Sequence, residues 1–194
     1  MLNNQADYQY IPEFLTQSEA ELLFNQLKSS IDWRQDKISV YGKQHPIPRL
    51  QAFIADEGIS YSYSGLTLYG SGFPDYIGTL KNRISAITNT SFNALLANLY
   101  RDGKDHMGWH SDDERELGPT PVIASISLGA ERTFQLRHRR APKQRIDIEL
   151  ASGSLLIMGP ELQHLWQHAL PKRLRVSQPR INLTFRYIYN KEQP

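Results

Sequence analysis

The chain has 194 residues, 40% of them hydrophobic, and 22 Lys plus Arg against 20 Asp plus Glu leave a formal charge of +2. That composition is ordinary for a soluble globular domain, and no global charge announces a nucleic-acid partner, so any such partner must be met by a local patch. There is no Cys, which excludes disulfides and thiolate chemistry and leaves metal binding to His and carboxylates.

Residues Met1 to Asp7 lack the basic-then-apolar order of a signal peptide, and no apolar run is long enough to span a bilayer. The expectation is therefore a cytoplasmic protein with no membrane partner. Tyr8 to Phe14 read as an extended lead-in. Thr16 and Glu19 form a capping box, and Ala20, Leu23, Phe24 and Leu27 follow at helical spacing, so this helix should lie against a sheet.

From Trp33 to Leu68 short extended pieces alternate with turns. Ile38 to Lys43 reads as a strand running into a turn at Gly42, and Pro46 and Pro48 forbid helix beyond it. Tyr61 to Leu66 alternates, placing Tyr61 and Tyr63 on one face. Tyr41, Tyr61 and Tyr63, with Arg49, could offer stacking planes and a phosphate contact; equally, Tyr simply suits half-buried strands. Pro74 fits the first turn of a second helix, with Tyr76, Ile77, Leu80, Ile84 and Ile87 on its apolar side and Thr88 to Ser91 ending it.

The remainder is strand-rich. The pattern predicts strands over Phe92 to Tyr100, Val122 to Leu128, Thr133 to His138, Arg145 to Leu150, Ser154 to Met158 and Ile181 to Tyr187, separated by Gly and Pro. Many short strands so punctuated suggest a mainly β, double-sheet jelly roll with both helices packed on one outer face. The expected organisation is one domain over 1–194, with helical support and hairpins in 1–90 and the jelly-roll core in 91–190.

Two features carry chemistry. His110-x-Asp112 places an imidazole and a carboxylate on one face of an extended chain, where both can grip one ion. A distant His would complete a two-His, one-carboxylate set with open positions, as in non-haem Fe(II) oxygenases. His168 is a candidate, but His164 lies four residues earlier and spacing does not choose between them. In the final strand Arg180, Asn182, Thr184 and Arg186 share one face and Ile181, Leu183 and Phe185 the other. Two Arg facing a cleft suit a carboxylate ligand, which a guanidinium grips through paired hydrogen bonds; an exposed edge strand is the plainer alternative. Arg137 to Arg140, with Lys143 and Arg145, form a basic cluster on a hairpin that could track a phosphate backbone or simply be solvated.

These residues resemble the AlkB family of Fe(II)- and 2-oxoglutarate-dependent dioxygenases that dealkylate nucleic-acid bases. The likeness rests on Asn98-Leu99-Tyr100, the run from His110 to Leu117, Ser125 to Gly129, Gly153 to Leu156, Trp166 to Pro171 and Pro179 to Arg186. Val40 to Lys43, Pro48-Arg49 and Tyr61 to Gly65 are similar to the substrate-recognition hairpins of the branch containing the human DNA-repair homologues two and three. The resemblance implies Fe(II) held by His110, Asp112 and His168, with O2 as oxidant. It also implies 2-oxoglutarate held by Asn98, Tyr100, Arg180, Asn182, Thr184 and Arg186. Arg186 is expected to clamp the far carboxylate with Tyr100 and Asn98, and Arg180 to sit near the metal-bound one. A flipped base would meet Tyr41, Arg49, Tyr61, Tyr63, Asp113 and Glu114. The implied activity is removal of alkyl groups, such as those of N1-methyladenine and N3-methylcytosine, from DNA by a monomer. The same chemistry on RNA or protein, or a silent cupin-like binding module, are the alternatives.

Overall fold

The computed structural model describes residues 6–40, 42–63 and 66–189. Its chain lays down β1 (Tyr8–Ile11), α1 (Gln17–Ser30), β2 (Lys37–Val40), β3 (Lys43–Pro46), β4 (Leu50–Ala55), β5 (Ser60–Tyr63), β6 (Leu66–Tyr69) and α2 (Asp75–Thr88). There follow β7 (Ala94–Tyr100), β8 (Met107–His110), β9 (Ile123–Gly129), β10 (Arg132–His138), β11 (Arg145–Leu150), β12 (Leu155–Met158), α3 (Pro160–Leu165), β13 (Trp166–Leu170) and β14 (Arg180–Arg186).

Two antiparallel sheets make the double-sheet jelly roll that the strand pattern predicts: a six-stranded one ordered β1-β12-β9-β14-β7-β4, and a four-stranded one ordered β11-β10-β13-β8. β2 with β3, and β5 with β6, form separate hairpins.

Alternation sorts the six-stranded sheet into two chemistries. Leu95, Ala97 and Leu99 on β7, Ala124, Ile126 and Leu128 on β9, and Ile181, Leu183 and Phe185 on β14 join one apolar cluster with the buried faces of α1 and α2. Full burial of each Leu or Ile is worth roughly 1.5–3 kcal/mol, and slipping any strand by one residue would turn that whole set the wrong way. The residues between them, including Asn98, Tyr100, Ser125, Ser127, Arg180 and Arg186, are thereby forced into the space between the sheets. The register fixes this, with Asn182 opposite Asn98 on one side and Ser127 on the other.

α1 starts as its sequence predicts. Glu19 N–H donates to Thr16 Oγ1 at 3.3 Å, and Thr16 N–H donates to Glu19 Oε2 at 2.7 Å. In α2, Ile77, Leu80 and Ile84 are buried, whereas Ile87 is 48% exposed and lies off the face assigned to it. Asn89, in the left-handed region at φ 49°, ends the helix, a conformation its short polar side chain tolerates. Gly129 makes the tight turn from β9 to β10 at φ 82°, where a Cβ would meet the Pro179 carbonyl oxygen at 2.6 Å.

The structure adds to the sequence reading in three places. β14 lies between β9 and β7, which removes the edge-strand alternative and leaves its polar face unsolvated. β1 and β4, from the first 90 residues, close the two ends of the large sheet. β8, β13 and α3 have no counterpart among the predicted elements. β8 is four residues containing Gly108, and β13 follows α3 without a Gly or Pro break, so neither shows the alternation and punctuation that mark a strand. No helix among the described residues is long and apolar enough to cross a membrane.

Candidate active site

β8 ends at His110, and β13 places His168 directly opposite it in register. The two Nε2 atoms stand 3.0 Å apart. Asp112 lies just past the strand, and two bonds fix that exit: Ser111 Oγ donates to the Trp166 carbonyl at 2.8 Å, and Asp112 N–H donates to Gln163 Oε1 at 3.0 Å. One ligand atom from each of His110, Asp112 and His168 then lies within 4.8 Å of the other two.

This donor set fits a divalent cation. His110 Nδ1 lies 2.9 Å from the Gly108 carbonyl and donates to it, which turns Nε2 toward the His168 Nε2. A cation placed among them would meet two ring nitrogens and the Asp112 carboxylate. Burial opposes ionisation of Asp112, yet Arg186 and then the two imidazoles hold its carboxyl down at about 2. Burial, helped by His110, pushes His168 down to about 3. At neutral pH the carboxylate is charged and His168 is neutral, the protonation states that metal ligands require. Two nitrogens and one oxygen on one side leave coordination positions open, as in the facial triad.

The pocket beside this trio is walled by Asn98, Tyr100, Asn182 and Thr184, with Arg186 at the metal side and Arg180 also on its lining. Arg186 Nη2 donates to Asp112 Oδ2 at 2.9 Å. Arg180 is 2% exposed, donates to Ser127 Oγ at 2.9 Å and stands 5.4 Å from the centre of the Tyr100 ring. In each, Nε has no partner among the described residues. Burial lowers Arg180 to about 10, whereas Asp112 outweighs burial and raises Arg186. Arg186 is thus engaged by the metal-side carboxylate, whereas Arg180 beside Tyr100 has no carboxylate at ion-pair distance among the described residues. Asn182 Nδ2 is held by Ser125 Oγ and the Ile126 carbonyl, and Thr184 Oγ1 donates to Asn182 Oδ1.

On the substrate side the outcome is mixed. Arg49, expected at a phosphate, is 5% exposed and donates from Nε to Asn98 Oδ1 at 2.7 Å. Tyr61 is 2% exposed, stacked on Phe53 at 5.9 Å and 19°, with the Arg186 guanidinium 5.9 Å from its ring; its burial raises its pKa. Glu114 is partly buried, hydrogen-bonded to Tyr61, and raised by burial and by the Asp112 charge. Asp113 is ion-paired with Arg139 at the rim. Tyr63 ends β5, its side chain lying outside the described set, and Tyr41 lies outside the described residues.

The competing histidines are elsewhere. His164 closes α3 with Nε2 2.8 Å from the Pro119 carbonyl, and His106 is paired with the Lys104 carbonyl. In the basic cluster, Arg137 lies 4.4 Å over the Trp109 ring and bonds Gln167 Oε1. Sequence reasoning missed Gln163, Ser111 and Phe134, whose ring stacks on His168 at 5.2 Å. It also missed Ser127, although the alternation Ser125-Ile126-Ser127-Leu128 already aimed that hydroxyl inward.

A model of the 2OG-Fe(II) oxygenase superfamily matches residues 7–186. The mouse "DNA oxidative demethylase ALKBH2" is 41% identical over 181 residues, spanning 88% of this chain and 76% of the relative. The mouse "Alpha-ketoglutarate-dependent dioxygenase alkB homolog 3" is 41% identical over 187 residues, 92% and 65% of the two chains. Among solved structures, OsALKBH1 superposes with a TM-score of 0.68 at 17% identity, covering 94% of this chain and 98% of its own. A Pseudomonas putida prolyl-4-hydroxylase does so with 0.60 at 13% identity, covering 96% and 94%. At those identities the two structures share the fold.

Proposed function

Because the chain belongs to the 2OG-Fe(II) oxygenase superfamily and, within it, to the AlkB family, we propose that it strips small alkyl groups from damaged DNA bases by oxidation. The observation that carries this reading is the convergence of His110, Asp112 and His168 in one pocket with two buried guanidiniums. The enzyme is an Fe(II)- and 2-oxoglutarate-dependent dioxygenase. Bound there, Fe(II) with 2-oxoglutarate and O2 supplies hydroxylation of the alkyl carbon, coupled to decarboxylation to succinate, and the hydroxylated group leaves as an aldehyde.

The protein's part is to bind, orient and keep water out. His110, Asp112 and His168 would hold the metal. Arg186 keeps Asp112 ionised and turned inward. Arg180, with Tyr100, offers the far carboxylate of 2-oxoglutarate a desolvated cation, and Asn98, Asn182 and Thr184 line the space between. A base inside a duplex cannot reach so enclosed a centre and must be flipped out. Tyr61 and Glu114 would read the flipped base, and Tyr41 and Tyr63 would stack against it or its neighbours. A charged Glu114 would favour N1-methyladenine and N3-methylcytosine, which carry positive charge. Since one chain supplies every group named here, we read the enzyme as a single dioxygenase domain working as a monomer, in the cytoplasm.

The test is release of formaldehyde and succinate from methylated oligonucleotides, with single-stranded DNA, duplex DNA, RNA and a methylated peptide in parallel. Stoichiometric release from DNA supports the reading. Turnover of RNA or peptide alone would replace the substrate, and no release from any of them would leave a silent binding module.

A further inference from the structure

We propose that Arg49 is a positioning residue of the co-substrate pocket: it fixes the Asn98 amide so that its NH2 end, and not its oxygen, faces the bound diacid. This rests on the reading of that pocket as a 2-oxoglutarate site. A side-chain amide has one acceptor end and one donor end of nearly equal shape. Beside a dianion the two orientations are opposite in effect, since the oxygen repels a carboxylate and the NH2 donates to it.

The structure resolves that choice through one contact. Arg49 Nε donates to Asn98 Oδ1 at 2.7 Å, and the two side chains are 5% and 3% exposed. A charge-assisted bond of that length, shielded from water, fastens the acceptor end to the wall. Among the described residues nothing accepts from Asn98 Nδ2, and Asn98 lines the pocket. Arg49 is itself held: its N–H donates to the Ile47 carbonyl at 2.9 Å, and the Pro48 carbonyl accepts from His106 N–H at 3.1 Å. No carboxylate lies at ion-pair distance from it among the described residues. Arg49 stands between the β2–β3 hairpin and β4, so a segment leading out of that hairpin holds a lining residue of the co-substrate pocket from behind.

The test separates the hydrogen bond from the charge. Gln places Nε2 the same number of bonds from Cα as Arg Nε, so Arg49→Gln keeps the donor and discards the charge. Arg49→Lys keeps the charge and puts a methylene where Nε was, and Arg49→Met keeps neither. Binding of 2-oxoglutarate to the Mn(II)-loaded protein is followed by calorimetry without nucleic acid. The expected order is wild type and Arg49→Gln within about twofold, then Arg49→Lys and Arg49→Met about tenfold weaker, which is about 1.4 kcal/mol. Adding Arg49→Met to Asn98→Ala should cost nothing further. If Arg49→Met does not fold, the order of Gln against Lys decides alone. Lys tighter than Gln, or all variants equal to wild type, overturns the proposal. A wild-type protein that binds Mn(II) but no 2-oxoglutarate overturns the pocket's assignment instead.

Discussion

Arg186 Nη2 donates to Asp112 Oδ2 at 2.9 Å across 74 positions of sequence, and the two side chains are 8% and 4% exposed. The pair joins the cation of the last strand to the carboxylate of the metal trio. Removing one member leaves the other buried and unpaired, which costs about 3–5 kcal/mol in comparable buried pairs. Arg186→Met should therefore lower the urea-unfolding stability of the metal-free protein by that amount, and Mn(II) should restore part of it. Unchanged stability would mean that Asp112 finds another counter-charge.

Arg180 is separable from this. Its guanidinium is buried beside Tyr100, with no carboxylate at ion-pair distance among the described residues. A charged hydrogen bond contributes roughly 1.5–3 kcal/mol, so Arg180→Met should raise the KM for 2-oxoglutarate about ten- to a hundredfold. The Kd for Mn(II) should move less than twofold. An equal loss of metal would place Arg180 in the metal site rather than beyond it.

Gln163 touches no ligand atom but receives the Asp112 N–H at 3.0 Å and is fully buried. Supporting bonds of this kind typically change metal affinity ten- to a hundredfold when lost. Gln163→Leu should weaken Mn(II) binding by about tenfold, read by competition with a chelating dye, while thermal unfolding shows the protein still folded.

The metal-free protein should lose stability on acidification. His168, held at about 3, resists the proton that the unfolded chain accepts near its ordinary value of 6.5. Its contribution to the folded state is thus intact above pH 6.5 and shrinks as pH falls toward 3, by at most about 1.4 kcal/mol per unit. Asp112, held at about 2, acts in the same direction lower down: its stabilisation is present above about 3.8 and is lost as pH falls toward 2. Urea midpoints at pH 7.5, 6 and 5 measure the first slope, and His168→Gln should flatten it.

Glu114 lies partly buried beside Asp112 and Tyr61. Glu114→Gln should slow turnover of the cationic N1-methyladenine more than that of a neutral etheno adduct, compared by product formation on otherwise identical oligonucleotides. Equal losses would assign the side chain to shape rather than charge. Asp113, already paired with Arg139, should show the smaller contrast.

The β14 alternation shows what could be read from the chain alone. Ile181, Leu183 and Phe185 against Arg180, Asn182, Thr184 and Arg186 gave the strand, its two faces and an anion-seeking cleft, because period-2 patterning is local. The Thr16–Glu19 cap and the apolar sides of the two long helices were legible for the same reason. β8 was not, since four residues with a central Gly carry too little pattern. Nor was β13, whose pairing partner is 58 positions away at the ligand histidines.

Sequence by itself determined the composition of the site: no thiol, a His-x-Asp pair, further histidines and a strand with two Arg on one side. Only the tertiary structure decided who meets whom. It set His168, which the family resemblance already favours over His164, opposite His110, put Arg186 on Asp112, and folded Arg49 inward onto Asn98. The physical reason is that such contacts are fixed by register between strands and by burial, neither of which is a property of neighbouring residues along the chain.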